Sequence, residues 1–134
     1  MMRPASFRKG IDAALAAVGF VRRGKTYQFE SPDTVVLVGL QKEHGDQWFI
    51  NVGFWLRGLG DAHTDRVEQT HLYFRLERLF PRFRETILVA GALDDDSEPR
   101  AYDELVELLR REIGSTLKDL ATVDSLRDAM RAAA

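Results

Sequence analysis

The sequence contains no cysteine. A disulfide framework, a thiolate metal centre and a cysteine nucleophile are therefore excluded. The absence fits a reducing compartment, and a cytoplasmic location is expected. No run of 18 apolar residues occurs, so no membrane-spanning helix is expected. The opening MMRPASFRKGIDAALAAVGF is positive at first, but Arg8, Lys9 and Asp12 interrupt any apolar stretch, and it fails as a secretory signal. A strong excess of either charge is also missing. The net charge is −2, with a slightly basic body over residues 1–93 and an acidic remainder. Nucleic acid is not an expected partner on that balance.

The short motifs of catalysis are missing too. There is no P-loop, no dinucleotide fingerprint and no nucleophile elbow. GLGD at Gly58 lacks the strand and helix context that cradles phosphate. His44, His63 and His71 stand at no metal-ligand spacing. The acidic run Asp94 to Asp96 reads as a solvated helix entry rather than a cation site. The serines suit caps and turns. No catalytic residue, metal or cofactor is expected.

What is present is the pattern of an α+β domain spanning residues 1–134, with 45% hydrophobic and 30% charged residues. Phe7, Ile11, Leu15 and Val18 share one helical face, and Gly19 follows as a helix end. Tyr27 and Phe29 alternate with Thr26, Gln28 and Glu30, as in a strand with one buried face. Val35 to Leu40 is almost wholly apolar, which suits a central strand covered on both sides. LQKEHGDQWFINVGFWL then reads as a hairpin that reverses at Gly45, with Glu43, His44 and Asp46 at its tip. Trp48, Ile50, Val52, Phe54 and Leu56 form its core face. Residues 57–69 are a loop or short helix. THLYFRLERLF and ETILVAGAL read as strands, the first ended by Pro81. A long helix runs from Pro99 to Leu120, with Tyr102, Leu105, Val106, Leu109, Ile113, Leu117 and Leu120 as its apolar stripe. A last short helix faces inward through Val123, Leu126 and Met130. Strands grouped in sequence with helices at both ends predict an antiparallel sheet of four to five strands, with an N-terminal helix and two C-terminal helices packed mainly on one face.

Local signatures agree with this order. Gly19-Phe20 after an amphipathic helix leads into Arg22-Arg23-Gly24-Lys25 and Thr26-Tyr27. Gln41-Lys42 closes the apolar strand, and Phe49, Asn51, Val52 and Gly53 follow in its partner. The tail reads LLRREIGSTLKDLATVDSLRDAM. In these motifs and their spacing the chain resembles the bacterial family known as domain of unknown function 4304, over roughly Arg8 to Met130. The resemblance implies a fold and brings no activity with it.

Two surfaces are candidates for function. Asn51 and Trp55 share the outward side of one strand, and His71, Tyr73 and Arg75 share a side of another. If those strands are neighbours, the five residues form one polar-aromatic patch, joined by Gln41. Tyr, Trp and Arg are the residue types that dominate protein-binding hot spots. The expected function is a non-enzymatic protein-binding module, accessory or immunity-like. The alternative is a small-ligand protein or enzyme with a pocket beside the sheet, in which His71 serves as acid/base and Arg75 grips an anion. The second surface is basic: Arg22, Arg23 and Lys25, followed by Tyr27. It reads as a charged edge strand, since adjacent arginines on a strand point apart.

Overall fold

The structure, a computed structural model, describes residues 4–43, 45, 47–60, 66–92 and 99–133. His44, Asp46, His63, Leu93 and the Asp94–Asp96 run, singled out above, lie outside the described residues.

Helix α1 (Pro4–Ala17) opens the chain. Phe7, Ile11, Ala14 and Leu15 form its buried stripe. It ends in a Schellman turn: Phe20 N–H reaches Leu15 O at 3.0 Å, Gly19 N–H reaches Ala16 O at 3.1 Å, and Gly19 takes φ +98°. Five strands follow as a meander: β1 (Val21–Arg23), β2 (Thr26–Glu30), β3 (Thr34–Glu43), β4 (Gln47–Leu56) and β5 (Leu72–Arg75). Their order in the sheet is their order in the chain, and every pairing is antiparallel. The β3–β4 hairpin is the longest ladder. It runs from Thr34 opposite Leu56 to Glu43 opposite Gln47.

One face of the sheet carries Tyr27, Val36, Val38, Trp48, Ile50, Val52 and Phe54, all buried under the helices. Four of these are the core positions expected for the hairpin. Period-two alternation of large apolar side chains is a firm signal when one face is packed. The other face is covered as well. Val35 and Leu37 are buried there around Val67, with Trp55 against them. Thr26 and Gln28, expected on an open face, are buried too. Their cover is the crossover between β4 and β5, which contains two single 3₁₀ turns, Arg57–Leu59 and Val67–Gln69.

The region after β5 departs from expectation. The expected strand over residues 70–80 stops at Arg75 and becomes a single helical turn, α2 (Leu76–Leu79). A 3₁₀ turn at Pro81–Phe83 leads into α3 (Arg84–Ala90), where a last strand was expected. Only Ile87 and Ala90 of α3 are buried, at helical spacing. α3 then docks on the start of β4, where Trp48 N–H donates to Gly91 O at 2.8 Å.

The long helix forms as α4 (Pro99–Leu108), a π turn (Leu109–Ile113) and α5 (Gly114–Asp119). Leu105, Leu109, Ile113, Leu117 and Ala121 are all buried at strict intervals of four. In a regular α-helix four residues overshoot one turn by about 40°, so such a stripe would wind away from the core. The wider π turn removes that overshoot. Tyr102 pins α4 to α1 by donating its hydroxyl to Phe7 O at 2.6 Å.

Helix α6 (Val123–Ala133) is anchored at its start. Thr122 Oγ1 accepts Ser125 N–H at 3.0 Å, and Asp33 Oδ2, from the β2–β3 turn, accepts Val123 N–H at 3.2 Å. Ser31 donates to Ala121 O in the same clamp. Leu126 is buried, but Met130, expected to face inward, is 47% exposed. No helix among the described residues is long and apolar enough to cross a membrane.

Candidate functional site

β4 and β5 are neighbours, so the outward residues do share a face. Asn51 stands opposite Gly39 on β3 and Arg75 on β5. Gly53 stands opposite Leu37 and Tyr73. The two glycines decide what happens next. A Cβ at Gly39 would lie 2.8 Å from Val67 Cγ2, and one at Gly53 would lie 2.3 Å from Thr70 Oγ1. Neither glycine has a positive φ, so each is there for space. The crossover lowers Val67 and Thr70 into these gaps. Thr70 Oγ1 is held by Val67 O at 2.5 Å and Leu72 O at 3.0 Å.

The seated crossover divides the expected patch. At one end lies an ordered relay. Asn51 Nδ2 donates to Gln41 Oε1 at 2.8 Å, and Gln41 Nε2 donates to Glu43 Oε1 at 2.7 Å. Arg75 closes it, 3.7 Å from Glu43 and with its guanidinium 3.6 Å from the centre of the Phe49 ring. At the other end Trp55 and His71 pack ring against ring, with centroids 4.2 Å apart. Trp55 Nε1 donates to Gly60 O at 3.2 Å, and His71 Nδ1 accepts Leu56 N–H at 2.8 Å. That bond leaves the proton of the neutral imidazole on Nε2. His71 and Arg75 are four strand positions apart, roughly 13 Å, too far to grip one small ligand together.

Beside the relay the crossover leaves a hollow of about 450 Å³. Thr26, Gly39, Gln41, Asn51 and Tyr73 line it from the sheet, and Lys25, Arg66 and Glu68 line it from the surrounding turns. Asn51 is 7% exposed, and its Oδ1 is buried without a hydrogen-bond partner. Arg75 Nη1 and Gln28 Oε1 are likewise unpartnered.

A different surface borders β5 on its outer side. Two hollows of about 580 and 470 Å³ meet there and share Leu126 and Met130 of α6. Phe54, Phe74, Leu79 and Leu120 line the first, and Leu56, Leu72 and Val123 the second. Arg75 and Arg78 stand at the first, Arg127 and Arg131 at the second. Arg127 lies 3.7 Å from Asp124. Arg78 and Arg131 make no ion pair among the described residues. The sequence reading named Tyr73 and Arg75 but missed this surface, because its walls come from both faces of β5 and from a helix about 50 residues away in the chain.

The basic candidate divides differently. Arg22 and Arg23 are exposed on β1, and Lys25 lies exposed in the turn to β2. Tyr27 points into the core at 4% exposure and cannot stack on a base. Burial, reinforced by the nearby Asp12 carboxylate, raises its hydroxyl above the ordinary 10.0. Among the described residues no group of three or more histidines and carboxylates is placed to hold a metal ion.

Residues 11–130 match the family described as a domain of unknown function, DUF4304. No curated protein and no solved structure matches the chain. The matched span takes in all five described strands, the second half of α1 and most of α6, and on that coverage the chain belongs to the DUF4304 family.

Proposed function

We propose that this protein is a non-enzymatic binding module. Its contact surface is the free edge of β5 with α6 beside it, and its partner is a protein that presents an extended, acidic and apolar segment. The observation that carries this is the apolar trough along β5, with four arginines on its rim.

Among the described residues β5 pairs with β4 alone, so its outer edge keeps unpaired main-chain groups. An extended segment can add to such an edge as a further strand, with pockets for alternate side chains. The opposite edge, β1, is three residues long and guarded by Arg22 and Arg23. β5 has no such guard beyond Arg75. Tyr73, 43% exposed, supplies a large amphipathic contact. The arginines select carboxylates, which they bind in a bidentate fork. They also argue against a second copy of this chain, since a two-fold pairing would bring two arginine-rimmed surfaces together. Masking a partner's exposed segment is the accessory, immunity-like role that such a surface suits.

The test is a display library of extended peptides, with the selected peptides titrated by fluorescence polarisation. Binders should alternate acidic and apolar residues, and salt should weaken them. Arg78→Glu with Arg131→Glu should cut affinity about tenfold or more at unchanged melting temperature. Trp55→Ala, off this surface, should bind normally. Selected peptides with no acidic preference, or a chain that self-associates through β5, would overturn the assignment.

A further inference from the structure

The main-chain groups that β5 offers outward follow from the ladder on its inner side. β4 points its N–H groups alternately to its two sides. Near its start Trp48 N–H points away from β3, to Gly91 O, and at its end Leu56 N–H points the same way, to His71 Nδ1. The register with β3 is unbroken between them. Val52 and Phe54 belong to the same alternation, so they face β5, where they stand opposite Phe74 and Leu72. Those two pairs exchange the hydrogen bonds of the ladder, and the main-chain groups of Tyr73 and Arg75 point out to the free edge. Arg75 O is already used, because as the N-cap carbonyl it accepts the first bond of α2. Among the described residues, Tyr73 N–H, Tyr73 O and Arg75 N–H therefore remain. The edge ends in a donor with no acceptor beside it.

An added strand that ran on past Arg75 would bring an N–H to a carbonyl that is taken. A chain that stops there in a carboxylate brings only acceptors. We propose, on the reading of the trough as a binding edge, that its occupant is the C-terminus of a partner protein, laid parallel to β5. In the slanted bonding of a parallel pair, the third residue from the end accepts Tyr73 N–H through its C=O. The last residue donates its N–H to Tyr73 O, and its carboxylate accepts Arg75 N–H. Arg78, exposed and without an ion pair among the described residues, supplies the opposite charge. An antiparallel chain would bring its N-terminal end to the arginines instead. Alternation then sets the last and third-from-last side chains on the face of Phe74 and Leu72, over the two hollows, so both are apolar.

The experiment displays short random peptides with free C-termini, and the same peptides followed by a fixed Gly-Ser tail. Selected peptides are titrated by fluorescence polarisation. The free termini should yield binders that are apolar at the last and third-from-last positions. Amidating a binder's carboxylate, or extending it by the tail, should weaken it about tenfold or more. Replacing its last peptide N–H by an ester oxygen should weaken it about fivefold, a test of the Tyr73 O bond that leaves the protein unaltered. Arg78→Gln should weaken the free acid about tenfold and leave the amide unchanged. Amides and tailed peptides that bind as tightly as free acids would overturn this proposal and leave the trough standing as a binding edge. So would an ester that binds like its parent. Failure of both displays to yield any binder would overturn the two readings together.

Discussion

Gly53→Ala is the most direct probe of how the crossover is seated. The added methyl would stand 2.3 Å from Thr70 Oγ1, 2.8 Å from its Cγ2 and 3.0 Å from its Cβ. Carbon atoms rest at about 3.5–4.0 Å, so Thr70 must retreat by roughly 1 Å. Its hydroxyl then leaves Val67 O and Leu72 O, at a net cost of about 1 kcal/mol. Overpacking adds about 1–3 kcal/mol. Alanine in a strand returns about 0.5–1 kcal/mol of backbone entropy relative to glycine. The expected loss is about 2 kcal/mol, or a fall in melting temperature of roughly 6–10 °C for a chain of this length. Urea unfolding should show a lower midpoint at unchanged slope. Thr70→Ala removes the two nearest atoms, so the double variant should be at least about 1 kcal/mol more stable than the sum of the single losses. Stability equal to the parent, or simple additivity, would refute the claim that these glycines exist to admit Thr70 and Val67.

Two further outcomes follow from the fold. Tyr27 and Tyr102 both hold their protons above the ordinary 10.0, chiefly because they are buried. The folded chain thus keeps phenolic protons that the unfolded chain loses. Stability should be complete below about pH 10 and fall above it by up to about 1.4 kcal/mol per pH unit for each group. Tyr27→Phe should remove about half of that slope in urea midpoints measured between about pH 9 and 11. Asp33→Ala frees Val123 N–H at the start of α6 and should cost about 1 kcal/mol. Hydrogen exchange should then quicken in α6 and stay unchanged in α1.

Much of the scaffold can be read without coordinates, and the physical reason is periodicity. Trp48, Ile50, Val52 and Phe54 alternate strictly, and Phe7, Ile11 and Leu15 repeat at fours, because one face of each element is packed. α3 escaped that logic. ETILVAGAL is short, apolar and rich in β-branched residues, and so brief an apolar run does not show which of its positions are buried; Ile87 and Ala90, three apart, are one face of a helix. Thr26 and Gln28 misled for another reason. Their cover is a polar segment whose buried apolar anchor, among its described residues, is Val67, so no hydrophobic pattern announces it. The glycines in the strands opposite were the available signal. For the candidate site, alternation places Asn51, Tyr73 and Arg75 on one face. It says nothing of Thr70 standing between Trp55 and the relay, or of Glu43 setting the orientation of two amides.

The π turn in the long helix has a consequence for how this chain tolerates changes in length. Its buried residues repeat at fours only because Leu109–Ile113 is wound wide. Delete one exposed residue there, Arg110 or Arg111, and the intervals become four, three, four and four. On a regular α-helix those positions fall within about 80° of one another, still a single stripe. The wide turn is therefore equivalent to one residue inserted into an ordinary helix. Chains with and without it can share the same core, so a one-residue gap at this point, when relatives are aligned, marks no change of fold.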